Sequence, residues 1–461
     1  MATTDLSERL ADALLKELGP VDIESLVRLS GGASRETWSF DARRPDGEVV
    51  ELILRRDPPG SAKGSMGVEA DLFRAAAAAD VPVPALICAS DDPEILGSSF
   101  LILERLEGET IPRRVLREPA LAEARKGLAE ECGRVLARLH RIDPARVPGL
   151  ARQDELTHYR GVLDALNQPS PTFELAFRWL EQNRPPGGRE TVVHGDFRNG
   201  NLMVGPDGVR GVLDWELAHL GDPIEDLGWL CTKSWRFGVD LPVGGFGTYD
   251  QLIAGYESEG GGPVDRDVLR WWETFGNLKW GVICMMQASA HLSGAVRSVE
   301  LAAIGRRVCE VEWDLVGLLL PPAATAAATA GPTAGSDAGR GEDDMHGRPT
   351  AAELATAVRE FLEGDVMSST QGRVQFHARV AANVMGMLER QLSTGASQAA
   401  THAEGLDGLG AASERELAGA IRSGALDDRL ADVHRVVART VHDKLAVANP
   451  RYLEGPRPPE G

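Results

Sequence analysis

Basic residues are the first thing this chain is short of. Lys and Arg number 49 against 69 Asp and Glu, a formal net charge of -20 over 461 residues. Clustered cations are what grip a phosphate backbone, so a nucleic-acid-binding surface is excluded. Long apolar runs are missing too: none approaches the roughly 20 residues that cross a bilayer. Met1-Ala2-Thr3-Thr4-Asp5 opens into a charged amphipathic stretch, and a cytoplasmic protein that stays off membranes is expected. Cysteine is sparse, and Cys88, Cys132, Cys231, Cys284 and Cys309 stand far apart. With no Cys-x-x-Cys pair there is no zinc or dithiol motif, and buried free thiols are expected. At roughly 150 residues per unit, the length suits two to three structural units.

What is present is concentrated between His194 and Glu216. The stretch reads His194-Gly195-Asp196-Phe197-Arg198-Asn199-Gly200-Asn201, then the apolar Leu202-Met203-Val204, and later Val212-Leu213-Asp214-Trp215-Glu216. Gly205-Pro206-Asp207-Gly208 between them is a turn, which predicts a hairpin that folds Asp214 back beside the Asp196 loop. Phosphoryl transfer needs a group to receive the attacking hydroxyl's proton, and oxygen ligands to hold Mg2+ against nucleotide phosphates. Asp196 suits the first task, and Asn201 with Asp214 the second.

This pair of motifs, H-G-D-x-x-x-x-N followed by D-W/F-E, resembles those of the aminoglycoside phosphotransferase and choline kinase-like family, relatives of the protein kinases. Within it the resemblance is to kinase-like proteins associated with acyl-CoA dehydrogenases. It implies ATP and Mg2+ as cofactors and an α+β, protein-kinase-like fold of two lobes, one a β-sheet lobe and the other mainly helical. It also implies that His194 braces the loop backbone and is not the base, and that Asp226, in Gly221-Asp222-Pro223-Ile224-Glu225-Asp226-Leu227, is a second brace.

Upstream, Leu6, Leu10, Leu14 and Leu18 mark an amphipathic helix ended by Gly19-Pro20. Leu29-Ser30-Gly31-Gly32-Ala33-Ser34-Arg35-Glu36-Thr37 puts a small-residue turn between two strand-like stretches, where backbone N–H groups can approach a phosphate. A similar stretch in the family makes Gly31, Gly32 and Ser34 expected phosphate contacts. Val49 to Leu54 is a strand ending in Arg55-Arg56. Kinase relatives place a lysine at that strand end, and the resemblance puts Arg55 there, paired with Glu69 from the following helix. A guanidinium binds phosphate oxygens bidentately, so the exchange is chemically workable. Arg56 is expected to be solvated, and Lys63 is the weaker candidate for a phosphate cation. The apolar strand near 99–103 leads into Glu104-Arg105-Leu106, where by resemblance the main chain of Glu104 and Leu106 meets the nucleotide base.

Helical periodicity marks 121–140, with His140 as a cap or packing residue, and 173–182. Asp222-Pro223-Ile224-Glu225 reads as a capping box. Helices then run through Trp229, Trp235, Trp271, Trp272 and Trp280 to Leu320, with Lys233, Arg236, Arg270 and Lys279 near the tryptophans. In the relatives this region holds the acceptor, and cations beside aromatics suit an anionic or partly apolar one.

From Pro321 to Arg348 the chain turns rich in Ala, Thr, Gly and Pro and reads as a flexible linker. Beyond it, capping boxes at Thr350–Glu353 and Ser413–Glu416 and apolar stripes at 374–392 and 427–447 describe a small all-α unit. It resembles an uncharacterised helical domain fused to such kinases, and oligomerisation or docking to a partner enzyme is expected of it. The expected organisation is therefore a nucleotide-binding lobe at 1–106, a catalytic and acceptor lobe at 107–320, a linker at 321–348 and a helical domain at 349–450. The expected activity is ATP-dependent phosphorylation of a hydroxyl on a small molecule, a hydroxyacyl-CoA or hydroxy acid in the first place. Aminoglycosides, sugars and amino alcohols are alternative acceptors, and a nucleotide-binding pseudokinase acting through its helical domain is the alternative without chemistry.

Overall fold

The computed structural model describes residues 3–29, 35–58, 65–329 and 349–455. In chain order it opens with α1 (Thr3–Leu18), β1 (Asp22–Arg28), β2 (Glu36–Arg43), β3 (Val49–Arg56), α2 (Met66–Ala78), β4 (Leu86–Ser90), the single turn α3 (Pro93–Leu96) and β5 (Phe100–Glu104). A second single turn, α4 (Pro112–Val115), leads to α5 (Ala122–Leu139), α6 (Glu155–Leu166) and α7 (Pro171–Gln182). Four short strands follow, β6 (Thr191–Val193), β7 (Leu202–Gly205), β8 (Gly208–Val212) and β9 (His219–Gly221), before α8 (Ile224–Cys231) and α9 (Tyr249–Ser258). The remainder is helical: α10 (Arg266–Leu292), α11 (Val299–Arg306), α12 (Val308–Leu319), α13 (Pro322–Thr329), α14 (Ala351–Phe361), the short α15 (Met367–Ser369), α16 (Gly372–Leu409), α17 (Glu414–Ser423) and α18 (Leu430–Ala448).

The chain forms two compact units, Met1–Gln153 with Pro186–Glu273, and Asp154–Pro185 with Thr274–Arg457. In the first, five antiparallel strands lie in the order β1-β2-β3-β5-β4. Successive side chains of a strand point to opposite faces. Leu52 and Leu54 of β3, with Phe100 and Ile102 of β5, therefore pack with Leu6, Leu10 and Leu14 of α1. The alternate positions Leu101 and Leu103 pack with Leu72 and Phe73 of α2. Arg55, one residue past Leu54, accordingly leaves the sheet on the α2 side. Arg56 leaves on the α1 side and departs from the solvated end expected of it: it is 5% exposed, donating to Glu36 at 2.9 Å and to the Leu96 carbonyl at 3.1 Å.

The same unit holds two small antiparallel ribbons, β6 with β9 and β7 with β8, and the helices α5, α8 and α9. The α5–α9 contact is built on glycine. A Cβ at Gly133 would stand 2.2 Å from the Leu252 carbonyl oxygen, and one at Gly255 would stand 1.9 Å from that of Glu130. The two backbones are too close for any other residue.

The second unit corrects two sequence expectations. Residues 322–329, inside the expected linker, are helical with Ala328 buried, and residues 330–348 lie outside the described ones. The C-terminal helices also share a core with the helices before that stretch. Leu175 and Val316 pack in one cluster with Leu417, Ile421, Val433 and Val441. Forked ion pairs join the same elements, Arg178 to Asp427 at 2.5 and 2.8 Å and Arg422 to Asp164 at 2.7 and 2.9 Å. Helix α16 runs 38 residues, well past 392. Between 374 and 392 its buried positions are the small residues Ala378, Ala382 and Gly386, while Leu388 and Leu392 of the expected stripe are exposed; farther on, Leu406 and Leu409 are buried. Of the two capping boxes here, Thr350–Glu353 is reciprocal. Ser413 caps as expected, but Glu416 turns to the Ala412 N–H.

Gly255→Ala is expected to cost about 1–3 kcal/mol, the usual penalty of overpacking, read from urea denaturation. Gly419→Ala, where a Cβ meets nothing within 4 Å, is the control and should not destabilise.

Candidate active site

Strand β6 delivers His194 into the interior, where it is 0% exposed. Its ring lies between Phe197 and Trp215, with centroids 6.0 and 4.7 Å away. The Asp196 N–H donates to Nδ1 at 3.2 Å, and Nε2 lies 3.1 Å from the Leu213 carbonyl. An amide N–H can only donate and a carbonyl can only accept, so the ring carries its hydrogen on Nε2. Burial pushes the imidazole below its ordinary value, outweighing the pull of Asp226, Asp196 and Asp214. It is a neutral bridge between the two halves of the motif.

Two further bonds close a ring. The Leu213 N–H donates to the Asn201 carbonyl at 2.8 Å, and Asn201 Nδ2 donates to Asp196 Oδ2 at 2.6 Å. The hairpin register, Leu202 opposite Val212, puts Asn201 and Leu213 side by side. Asp214 follows directly with φ +66, a left-handed conformation that an aspartate tolerates better than most residues. Asp196 and Asn201 are thus joined by their side chains, and the backbone of Leu213 ties the residue before Asp214 into the same circuit. Because the Asn201 amide nitrogen is spent on Asp196, its Oδ1 is the atom left to face a cation. With the Asp214 carboxylate it makes a hard-oxygen donor set, suited to Mg2+.

Asp196 is held from the other side as well. Its Oδ1 accepts from Arg198 Nε at 2.9 Å and from the indole of Trp229 at 2.8 Å. The Arg198 guanidinium lies over the Trp235 ring, 4.5 Å from its centroid. A carboxylate has about four lone-pair sites, and these bonds with that of Asn201 use three.

Behind the loop, Asp226 accepts the N–H of His194 at 2.8 Å and of Gly195 at 2.9 Å. His140 adds a third contact at 3.1 Å and itself meets the Tyr256 hydroxyl at 3.0 Å. Burial raises Asp226, but the His140 bond and the neighbouring imidazoles and N–H groups outweigh it and hold the carboxyl below the usual range. Gly195 has φ +75, and a Cβ there would sit 2.3 Å from the Leu217 carbonyl oxygen, so only glycine fits. Asp222 starts α8 by accepting the Ile224 N–H at 2.9 Å, but Glu225 does not complete the expected box: it turns to His219 Nε2 at 3.2 Å.

From the sheet, Arg55 donates to Glu69 at 2.9 Å and to Asp214 at 2.6 Å. Burial opposes its charge, yet Glu69, Asp214 and Glu216 hold the guanidinium protonated and above its ordinary value. The other oxygen of Glu69 is taken by Arg35, whose Nε also donates to buried Asp57 at 3.1 Å. Asp57, Arg35, Glu69, Arg55 and Asp214 form a chain of alternating charge. Gly31, Gly32, Ser34 and Lys63 lie outside the described residues. Glu104 ends β5 with its N–H on the Ala85 carbonyl at 2.9 Å and its carboxylate on the Ala85 N–H at 3.3 Å. Leu106 is half-buried, its Cδ1 over Gly211.

Sequence reasoning missed Arg35, Arg198 and the reach of His140. Arg35 follows the glycine turn directly, and Arg198 sits inside the motif, so both were in view. What hid them is that nothing in the spacing tells which way a loop arginine turns. The cations expected around the tryptophans are committed elsewhere: Arg236 to Glu273 at 2.7 Å and Lys279 to Glu155 at 2.8 Å.

Two measurements check this network. The folded state holds His194 below its unfolded value of ~6.5, so its stabilising contribution is complete above that pH and falls away on acidification through the folded value. Denaturation midpoints should drop below about pH 6.5, and His194→Gln should flatten that drop. Arg35→Met, which leaves Asp57 buried beside a lost charge, should cost about 3–5 kcal/mol in chemical denaturation. Adding Asp57→Leu should recover much of the loss.

Residues 25–272 match the family described as phosphotransferase enzymes, and residues 368–452 match a domain of unknown function, DUF6285. Mouse acyl-CoA dehydrogenase family member 10 is 30% identical over 230 residues, 46% of this chain and 20% of that protein. Chicken acyl-CoA dehydrogenase family member 11 is 29% identical over 248 residues, 50% of this chain and 30% of that protein. The match thus spans between a fifth and three-tenths of these curated relatives. A solved chain from Ralstonia eutropha JMP134, assigned to the aminoglycoside phosphotransferases, superposes with a TM-score of 0.53 at 24% identity, covering 67% of this chain and 97% of its own. The fold is α+β and protein-kinase-like, an antiparallel N-terminal sheet followed by a mainly helical remainder with further C-terminal helices. With over half its length matched by that family, the chain belongs to the phosphotransferase enzymes.

Proposed function

We propose that this chain moves the γ-phosphoryl group of ATP, bound with Mg2+, onto a hydroxyl of a small molecule, and that the acceptor is a hydroxyacyl-CoA or a related hydroxy acid. The observation that carries the reading is the circuit joining Asp196, Asn201 and Leu213-Asp214, with Arg55 reaching it from the sheet. Bound ATP and Mg2+ supply the electrophilic phosphorus and the ADP leaving group. The chain supplies position and charge. Asp196, fixed by Arg198, Trp229 and Asn201, uses its remaining lone pair to accept the acceptor's O–H bond, orient it in line, and take the proton as the new O–P bond forms. Asn201 Oδ1 and the Asp214 carboxylate would hold the Mg2+ ion. Arg55 trades an arm from Asp214 to a phosphate oxygen while Glu69 keeps the other in place. The main chain of Glu104 and Leu106 would meet the base.

The acceptor class is supported by charge. Arg198, paired with Asp196 at 2.9 Å and lying over Trp235, sets a cation beside the proposed base, which suits a molecule carrying its own negative charge better than a polycation. The likeness to proteins named acyl-CoA dehydrogenase family members supports the same choice.

An ATP-consumption screen over hydroxyacyl-CoAs, hydroxy acids, aminoglycosides, sugars and amino alcohols tests this. Hydroxyacyl-CoAs or hydroxy acids should drive turnover. Asp196→Asn should lower it about 10²–10⁴-fold while ATP still binds, and Asp214→Asn should lose the Mg2+-dependent part of that binding. Arg55→Lys should retain more activity than Arg55→Met. Turnover by Asp196→Asn near the parent's rate would remove Asp196 from the mechanism, and ATP binding without turnover on any acceptor would leave a pseudokinase.

A further inference from the structure

A cavity of about 610 Å3 opens within the second unit, lined by residues that have no part in the phosphotransfer just described. It falls within the range of roughly 300–1,000 Å3 that small-molecule sites occupy. One wall comes from α10, α11 and α12, the other from α16 and α18.

The α16 wall is the unusual one. Its lining positions Gln391, Gly395, Gln398, His402 and Gly405 recur at alternating steps of four and three, which places them on one face of the helix. A face turned toward other helices is normally filled with leucine or valine, because close packing adds dispersion contacts and removes apolar surface from water. Here the face carries glycine, glutamine and histidine. A Cβ added at Gly395 would meet only the Gln391 side chain, at 3.6 Å, so the space is open to a larger residue that the sequence does not supply.

The lining chemistry is two-sided. Met285, Ala288, Val308, Val447 and Ala448 make an apolar floor. The other cations around it are already paired, Lys444 with Glu414 at 2.9 Å, Arg439 with Asp443 at 3.0 Å and Arg435 with Asp432, while the Glu312 carboxylate accepts from the Ser170 hydroxyl at 2.8 Å. Arg306 differs, since its guanidinium donates to the neutral amide oxygen of Gln391 at 3.0 Å. An amide leaves the positive charge uncompensated, and a guanidinium fork matches the oxygens of a carboxylate or phosphate.

We propose that this cavity binds a small amphipathic oxyanion, its apolar body against Met285, Val308 and Val447 and its carboxylate or phosphate-monoester head on Arg306. The site stands apart from the kinase reading and does not depend on it.

The test is calorimetric titration of the full chain with octanoate, octyl phosphate, octylamine and inorganic phosphate. At least one of the two alkyl anions should bind one per chain, and at least tenfold more tightly than octylamine or inorganic phosphate; whichever anion binds more tightly identifies the head group. Arg306→Gln should weaken that anion at least tenfold and leave octylamine unchanged. Gly395→Leu should weaken it at least tenfold without lowering the melting temperature, because leucine is also the better helix former. The proposal is overturned if neither alkyl anion binds, if octylamine or inorganic phosphate binds as tightly, or if Gly395→Leu titrates like the parent.

Discussion

An uncharged imidazole in the interior of the first unit is what the candidate site is built around. His194 accepts from the loop that carries Asp196 and donates to the strand end that carries Asp214. A charged ring could not do this, since both nitrogens would then be donors and the bond from the Asp196 N–H would be lost. Burial is therefore part of the design, because it keeps the proton off. Asp226 works from behind with the opposite chemistry, a carboxylate that stays ionised in the interior because N–H groups and His140 converge on it.

Arginine in place of lysine changes the geometry on the sheet side. A lysine is a point charge, whereas the two arms of Arg55 hold Glu69 and Asp214 at once. Glu69 must then satisfy two guanidiniums, and Arg35 is itself anchored to Asp57. Removing Arg35 takes a cation from two buried carboxylates at once, Asp57 and Glu69, which is far more costly than losing an exposed pair. The position of the candidate metal aspartate is tied in this way to the residue that follows the glycine turn.

Much of this was legible from spacing alone. The hairpin was readable because two apolar runs flank a Pro-Asp turn, and the strand ending at Arg55 because β-branched and leucine residues precede it. Leu6, Leu10 and Leu14 announced α1, and all three are buried. The misses share a cause. Arg56 looks like a strand end until one knows that α3 offers it a carbonyl, at Leu96. Glu225 fits a capping box by sequence, but His219 outcompetes the helix terminus for it. For α16, tertiary packing selected the face with the smallest side chains over the face with the most apolar ones, a choice that periodicity cannot rank. The alanine-rich start of the expected linker is helical for a related reason, since alanine has the highest helix propensity and Ala328 finds a core to join.

Helix α10 has 27 residues, begins at Arg266 in the first compact unit and continues into the second, whose C-terminal segment starts at Thr274. The family match stops at 272, in this helix's second turn. A fragment trimmed to the recognisable phosphotransferase region would therefore end inside a helix, with its last carbonyls uncapped. It would also strip α7, through Leu175, of its partners Val316 in α12 and Leu417 and Ile421 in α17. For this chain the border of sequence similarity is no place to cut, because residues 154–185 inside it belong to the same compact unit as the C-terminal helices.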